Sequence, residues 1–167
     1  MRHSLQIRER CGFESRQDYQ NKDNKMINII YASEMGTSFD LALNFESKVE
    51  AKGIEVECGE MDDYTVEQLS EMKNVMILCS TTGEGDVPMM GENFWKELDA
   101  SSADLSNVNY SLCALGDSTH FDFCGAGRKI DAKLQELGAK PIIERHECDA
   151  NTDGAPEWAD ALIEKFS

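Results

Sequence analysis

Hydroxyl and glycine residues cluster where the first apolar run of the chain gives way to a stretch with helical spacing. The segment YASEMGTSFD, residues 31–40, holds Ser33, Gly36, Thr37 and Ser38 and contains no basic residue. A helix N-terminus presents unpaired backbone N–H groups and about half a positive charge, so it attracts anions. Hydroxyl donors and a glycine at such a place suit a terminal phosphate monoester that is held without a cation. Ordinary N-capping by Ser or Thr is the alternative interpretation of this segment.

Two further loops follow apolar runs and carry glycines or aromatic residues. The segment STTGEGDVPMMGENF, which starts at Ser80, contains glycines and a proline and predicts a shaped loop. The segment LGDSTHFDFCGAG, which starts at Leu115, places His120, Phe121 and Phe123 in a loop that we expect to be exposed. Exposed aromatic rings favour contact with a flat ligand. The alternatives are a plain surface turn for the first loop and packing of Phe123 beneath the second.

The composition limits the classes of partner. The chain has 167 residues, enough for one domain with a full core, and a formal net charge of −16. Residues 1–25 hold six basic and four acidic side chains, whereas residues 26–167 hold ten basic and 28 acidic ones. Such an acidic body argues against binding to nucleic acid or to anionic membranes, since both require basic surfaces. It favours association with a basic partner.

Cysteine usage and the N-terminal segment bear on compartment and domain boundaries. The six cysteines form no CxxC pair and no metal-ligand pattern, and Cys79 and Cys113 lie in apolar runs, so we expect reduced thiols and no metal. No apolar run is long enough for a membrane span, and we expect a cytoplasmic protein. Residues 1–25 are polar and lack periodicity, which predicts a disordered extension ahead of a domain at residues 26–167. A functional tail is the alternative.

These loops must be positioned by the elements that precede them. Apolar runs predict strands at residues 26–31, 54–59, 75–80, 107–116 and 141–147, and helical spacing predicts helices at residues 37–52, 65–72, 92–99, 125–137 and 156–166. Strict alternation of five strands and five helices predicts a doubly wound α/β fold, a five-stranded parallel sheet with helices on both faces. Ligands of such sheets bind beyond the carboxyl ends of the strands. The three loops are therefore expected to converge at one end of the sheet.

From residue 26 onward the chain resembles the flavodoxin family, and within it the short MioC-type flavodoxins and the FMN domains of sulfite reductase and cytochrome P450 reductase. YASEMGTSFD resembles the phosphate loop of that family, and STTGEGDVP resembles its second flavin loop. LGDSTHFDFCGAGRKIDAKLQELGA resembles the third loop with its helix. The resemblance implies a flavodoxin-like fold, an FMN cofactor and transfer of electrons one at a time.

The resemblance also assigns residues to the flavin site. It implies that the phosphate is held by Ser33, Glu34, Met35, Gly36, Thr37 and Ser38. It implies that one edge of the ring is lined by Thr81, Thr82, Gly83, Glu84 and Gly85. The opposite wall would consist of Leu115, Gly116, Asp117, His120, Phe121, Phe123 and Cys124. Asp149 matches a position near the ring.

Three of these residues depart from the family pattern. Met35 stands where Thr is usual, Thr82 where an aromatic ring is common, and His120 where a stacking Tyr is usual. The family implies that the peptide at Gly83 turns on reduction, and glycine allows this at low cost. Carboxylates in the second and third loops are expected to disfavour a reduced, anionic ring; they are Glu84, Asp86, Asp117 and Asp122.

The implied role is that of an electron carrier without catalytic activity of its own. Its partners would be a flavin reductase as donor and a basic-surfaced enzyme as acceptor, and we expect a monomer. An FMN-dependent quinone or NAD(P)H reductase and an interaction module without cofactor are the alternatives. A phosphorylated receiver domain is excluded because the strand ends YASE, CSTT and ECDA lack its acidic and lysine residues. A nicotinamide-binding domain is excluded because GxGxxG is absent.

Overall fold

The computed structural model of the chain describes residues 26–119 and 122–166. The predictions made for residues 1–25, His120 and Phe121 lie outside the described residues. The strands are β1 Ile27–Ala32, β2 Val56–Glu60, β3 Asn74–Ser80, β4 Asn109–Gly116, β5 Lys140–Pro141 and β6 His146–Asp149. The helices are α1 Thr37–Ala51, α2 Val66–Glu71, α3 Glu92–Asp99, α4 Gly125–Glu136 and α5 Ala155–Glu164. Short 3₁₀ helices cover Met61–Asp63 and Met89–Gly91.

The strands form one parallel sheet in the order β2-β1-β3-β4, and both β5 and β6 pair with the remaining edge of β4. Every residue of β1 is buried, and so is every residue of β3 except the last. Strands that are apolar on both sides require cover on both faces of the sheet, which a parallel sheet obtains from its crossover helices. The predicted doubly wound fold, with five strand positions and helices around the sheet, is confirmed.

The fifth strand position differs from the prediction. We predicted one strand over residues 141–147, but the strand is split into β5 and β6. Tyr110 pairs with Pro141, whereas Cys113 pairs with His146, so two extra residues separate the segments relative to β4. Residues 142–145 form this bulge, and the indole Nε1 of Trp158 donates to the carbonyl oxygen of Glu144 at 3.0 Å. The bulge thus has hydrogen bonds that replace part of the lost ladder.

The helices bury their apolar faces on opposite sides of the sheet. On one side, α1 and α5 pack through residues such as Phe45 and Trp158, whose ring centroids lie 6.3 Å apart. On the other side, α2, α3 and α4 pack through residues such as Leu69, Phe94 and Ile130. Each fully buried side chain of this kind contributes about 1.5–3 kcal/mol. None of the helices in the described part of the chain has the length and apolarity that a membrane span needs.

Candidate functional site

The first loop joins β1 to α1 and exposes the beginning of that helix. The Gly36 N–H donates to Ser33 Oγ at 2.8 Å, which closes the turn. Gly36 has φ 90°, a left-handed conformation that favours glycine, although space around its Cα is open. Among the described residues, no side chain caps α1. The N–H groups of its first turn, which have no intrahelical acceptors, are therefore available to an anion.

The hydroxyl and polar side chains of the first loop do not all face the same way. Thr37 and Glu34 are exposed, and Met35 is 91% exposed. Ser38 is fully buried, and its Oγ shares a hydrogen bond of 2.7 Å with Ser80 Oγ at the end of β3. The Ser38 hydroxyl therefore ties α1 to the sheet, and the Thr37 hydroxyl is the one that stands at the open helix start.

The second loop follows β3 and is closed by its own backbone. Thr82 N–H donates to the Asp86 carbonyl at 2.9 Å, and Asp86 N–H donates to the Thr82 carbonyl at 2.8 Å. Gly83 and Gly85 both have positive φ, 50° and 91°. A Cβ on Gly85 would collide with the carboxylate of Asp122, which belongs to the third loop. The second and third loops are thus in direct contact, and only glycine permits that approach.

Thr81 begins the second loop with a buried hydroxyl. Among the described residues, Thr81 Oγ1 has no hydrogen-bond partner. A buried hydroxyl without a partner costs about 1–3 kcal/mol, so such groups are rare in folded proteins. This hydroxyl lies directly after β3, at the end of the sheet where ligands of this fold class bind.

The third loop follows β4 and is braced by the end of β6. Ser118 N–H donates to Asp149 Oδ1 at 2.8 Å, and Ala150 N–H donates to the Gly116 carbonyl at 2.7 Å. Asp117 Oδ1 accepts from the N–H and the Oγ1 of Thr119, at 2.9 and 2.6 Å. Asp149, predicted near the ring, therefore holds the third loop in place.

Other residues predicted for the wall opposite the second loop lie below the surface of the protein. Leu115 and Cys124 are buried, and the Cys124 thiol donates to the Ala114 carbonyl at 3.7 Å. Burial raises the pKa of the Cys124 thiol to about 12, so it is protonated at neutral pH. Phe123 is half-buried, packs against the core, and lies under the guanidinium of Arg128, 5.5 Å from its ring centroid. His120 and Phe121 lie outside the described residues.

The three loops meet at the carboxyl end of the sheet, and their residues match one family. The profile named "Flavodoxin" matches residues 29–160. The chain belongs to the flavodoxin family. It is an FMN-binding electron-transfer protein, because FMN is the cofactor of that family.

Curated relatives of this flavodoxin include flavoprotein components of sulfite reductase. The flavoprotein alpha-component of NADPH sulfite reductase from Bacillus subtilis is 34% identical over 142 residues, covering 84% of this chain and 24% of that protein. The corresponding protein of Shewanella sp. strain MR-7 is 37% identical over 139 residues, with 81% and 23% covered. The chain thus spans about a quarter of the length of these relatives.

Solved structures agree with the fold. Oxidised flavodoxin 2 from Bacillus cereus superimposes with a TM-score of 0.73 at 25% identity, covering 84% of this chain and 99% of that one. A flavodoxin from Streptococcus pneumoniae has a TM-score of 0.73 at 21% identity, with 84% and 97% covered.

The site of this flavodoxin fits FMN. The uncapped α1 and the Thr37 hydroxyl form a neutral donor set, which suits a single phosphate monoester. The Thr81 hydroxyl needs a polar partner, and the ring edge of FMN carries several polar atoms. Met35 and Ser38 contribute no free hydroxyl, so the phosphate of FMN would be held mainly by backbone N–H groups.

A cleft of about 900 Å³ runs from the first loop past the second. It is lined by Ser33, Glu34, Thr82, Asp86, Val87, Met89, Met90, Glu92, Trp95, Lys96 and Lys129. Sequence reasoning missed Trp95 and Lys129, which lie on α3 and α4, the helices that follow the second and third loops. Lys129 Nζ lies 3.8 Å from Asp86 Oδ1, so one loop carboxylate has a cation nearby. The signal that could have found Trp95 is its large ring beside charged residues on a short amphipathic helix.

Proposed function

We propose that this flavodoxin passes electrons one at a time from a flavin reductase to an acceptor enzyme with a basic surface. FMN, when bound, supplies the chemistry of accepting and releasing single electrons. The observation that carries the proposal is the uncapped start of α1, with neutral donors only, beside the unsatisfied Thr81 hydroxyl. The relatives are flavoprotein components of an NADPH sulfite reductase, which supports a redox enzyme as the partner.

Different residues of the chain bind the phosphate and the ring of FMN. The first-turn N–H groups of α1 and the Thr37 hydroxyl hold the phosphate. The Thr81 hydroxyl holds a polar edge of the ring. Gly83, already at φ 50°, lets its peptide reorient without a side-chain clash, so the loop adapts its hydrogen bonding to the charge of the ring. Leu115 and Phe123 keep the wall beneath the third loop apolar.

The carboxylates of the second and third loops lower the potential at which the ring takes up its second electron. Glu84 and Asp122 belong to the second and third loops, which touch at Gly85. Negative charges near a partly desolvated ring disfavour a further negative charge on it, because Coulomb repulsion grows as water is excluded. The ammonium group of Lys129 partly neutralises the negative charge of Asp86. We therefore propose that the second electron is taken up at a low potential.

We further propose a cytoplasmic monomer with no affinity for nucleic acid. The support is the net charge of −16, which opposes both self-association and contact with phosphate backbones.

A second candidate function is reduction of a quinone by NAD(P)H, with FMN as the intermediate carrier. The cleft beside the second loop favours it, because Trp95 provides a flat apolar surface there. Following NAD(P)H absorbance with and without a quinone decides between the two. Turnover by the purified protein alone supports the enzyme, and turnover that requires an added reductase supports the carrier.

The cofactor assignment is tested by titration. Purified protein stripped of cofactor is titrated with riboflavin, FMN and FAD, and binding is followed by quenching of flavin fluorescence. FMN should bind much more tightly than riboflavin, since only FMN has the phosphate, and more tightly than FAD, since no Lys or Arg is present in the first loop for a diphosphate. Equal affinity for riboflavin would contradict the role given to the first loop.

Replacing Thr37 with Val should weaken FMN binding by about 1–2 kcal/mol, which is the typical contribution of a hydrogen bond to a charged group. The affinity for riboflavin should stay unchanged, because riboflavin lacks the phosphate. Thr37→Ser, which keeps the hydroxyl, is the matched control and should bind FMN like the natural protein. A similar loss with riboflavin would show that the residue acts on the ring or on the fold instead.

A further inference from the structure

The end of the third loop has a strained backbone. Asp122 and Cys124 have φ 58° and 54°, in the left-handed region that residues other than glycine rarely occupy, and Phe123 lies between them. Such conformations cost free energy and persist only where the surrounding contacts hold them. The contacts of residues 122–124 therefore determine where the end of this loop lies.

Asp122 and Cys124 are held by close packing. The Asp122 carboxylate lies so near Gly85 of the second loop that a Cβ on that glycine would collide with it. Cys124 is fully buried, and its thiol donates to the carbonyls of Ala114 and Cys148, at 3.7 and 3.8 Å. These two side chains are therefore fixed without help from α4.

Phe123 is held differently, because an arginine of α4 covers its ring. The side chain is half-buried, and the central carbon of the Arg128 guanidinium lies 5.5 Å from the ring centroid. Arg128 Nε and Nη2 donate to Glu147 Oε2 and Oε1, at 2.7 and 2.9 Å. A bidentate pair fixes the plane of a guanidinium as well as its position. We call the contacts among Phe123, Arg128 and Glu147 the Arg128 clamp.

Glu147 connects the Arg128 clamp to the sheet. It lies on β6, which pairs with β4, and its Oε2 also accepts from Arg145 Nε at 3.1 Å. Hydrogen bonds from Arg128 lower the pKa of Glu147 below its usual value, so the carboxylate is charged at neutral pH. Two residues further along β6, Asp149 accepts from the Ser118 N–H near the start of the third loop. Both ends of the loop are thus anchored to the same short strand.

We propose that Arg128 is a positioning residue for the flavin ring: its guanidinium, held by Glu147, fixes Phe123 and thereby the wall that the third loop presents to FMN. The inference rests on the FMN site proposed for the three loops and adds a residue of α4 to it. Arginine suits this role better than lysine, because its planar group stacks on a ring and forms two parallel hydrogen bonds at the same time.

Two simpler roles for Arg128 lead to different expectations. A counter-charge for nearby carboxylates would be replaceable by lysine without loss, since lysine keeps the charge. A stabiliser of the fold would raise the melting temperature and leave the flavin affinity of the folded protein unchanged. Neither of these roles requires Phe123.

The test measures dissociation constants of riboflavin and FMN by quenching of flavin fluorescence, with full-length protein stripped of cofactor. In Arg128→Lys and in Arg128→Gln, both constants should rise about fivefold. The factor should be the same for the two ligands, because the Arg128 clamp acts on the ring and not on the phosphate. The control is Lys133→Gln, which removes the cation of another ion pair on α4, with Glu136 at 3.6 Å, and should bind both ligands like the natural protein.

A double-variant cycle determines whether Arg128 acts through Phe123. Phe123→Leu should weaken binding of both ligands on its own. Adding Arg128→Gln to it should cause little further loss, because the ring that the guanidinium fixes is already gone. The circular dichroism of bound FMN at saturation should change in the Arg128 variants and in Phe123→Leu, and stay as in the natural protein in Lys133→Gln.

Three results would overturn the Arg128 clamp and leave the FMN site standing. They are natural affinity in Arg128→Lys, losses that multiply in the double variant, and a lower melting temperature with unchanged affinity and dichroism in the Arg128 variants. Failure of the natural protein to bind either flavin would contradict the FMN site itself, and the Arg128 clamp with it.

Discussion

Thr81 is partly buried at the start of the second loop, and its buried hydroxyl has no hydrogen-bond partner among the described residues. Its neighbours in the chain differ: Ser80 Oγ is bound to Ser38 Oγ, and Thr82 Oγ1 donates to the Asp86 carbonyl at 3.4 Å. We therefore expect the unsatisfied hydroxyl to destabilise the protein when FMN is absent and to contribute to binding when FMN is present.

Replacing Thr81 with Val tests this with two effects of opposite sign. Without FMN, the variant should be as stable as the natural protein or slightly more stable in urea, because an unsatisfied polar atom is removed. With FMN, affinity should fall by about 1 kcal/mol, roughly fivefold, because a hydrogen bond is lost. The control is Thr82→Val, because the Thr82 hydroxyl already has a backbone acceptor in the Asp86 carbonyl. Equal loss of stability in both states would mean that Thr81 serves packing alone.

Single residues also show what the sequence could and could not predict about the site. The type and order of the loops were predictable, because glycines and hydroxyls after buried strands are local signals. The direction of each hydroxyl was not: Ser38 turns inward because residue 38 of α1 faces the sheet, and Ser80 stands there to pair with it. That pairing depends on two segments 42 residues apart, and no local pattern contains it.

At the scale of elements, a partly buried charged cluster holds α4 to the bulged fifth strand. Asp131 on α4 accepts hydrogen bonds from the Tyr110 hydroxyl and from Arg145 Nη1, and from Gln135 Nε2 at 3.2 Å. Its side chain is almost completely buried. Arg145 lies in the bulge and also donates to Glu147 at 3.1 Å. The bulge thus carries the residue that links the fifth strand to α4.

Asp131→Ala should destabilise the protein by about 2 kcal/mol, since removing the buried partner of this ion pair leaves Arg145 and the buried Tyr110 hydroxyl short of partners. Urea unfolding measures the loss. The control is Asp160→Ala, which breaks the exposed pair with Lys48 and should change stability by less than about 1 kcal/mol. If both variants lose the same small amount, then the cluster does not stabilise the fold.

Most elements were predictable because their signals are local. The helix predicted at 92–99 is observed over those residues, and α1 ends within one residue of the prediction, close to Gly53 at φ 76°. The split of the fifth strand was not predictable, since residues 142–145 contain neither Gly nor Pro. The bulge occurs together with the contact between Arg145 and Asp131, a tertiary interaction that no local pattern contains.

At the scale of the molecule, the charge is unevenly distributed between the N-terminal segment and the domain. Residues 26–167 hold ten basic and 28 acidic residues, whereas residues 1–25 hold six basic and four acidic ones. The domain predicted to start at residue 26 has its own core on both faces of the sheet. Its folding therefore should not need the segment.

A variant beginning at Met26 should keep the melting temperature and the FMN content of the full chain, because the contacts that bury the core are made by the described residues. Calorimetry and the flavin absorbance per mole of protein measure both quantities. A clear fall in either one would show that residues 1–25 pack on the domain.

The excess of acidic residues predicts how electron transfer responds to salt. Long-range attraction raises the rate of encounter with a basic acceptor, and salt screens it with a Debye length of about 8 Å at physiological ionic strength. Stopped-flow rates with cytochrome c as acceptor should fall roughly tenfold or more from low to high ionic strength. Rates with an uncharged quinone as acceptor should change little, since no Coulomb attraction is screened there. A flat salt profile with cytochrome c would contradict a basic partner, whereas a fall with both acceptors would mean that salt acts on the flavin site itself.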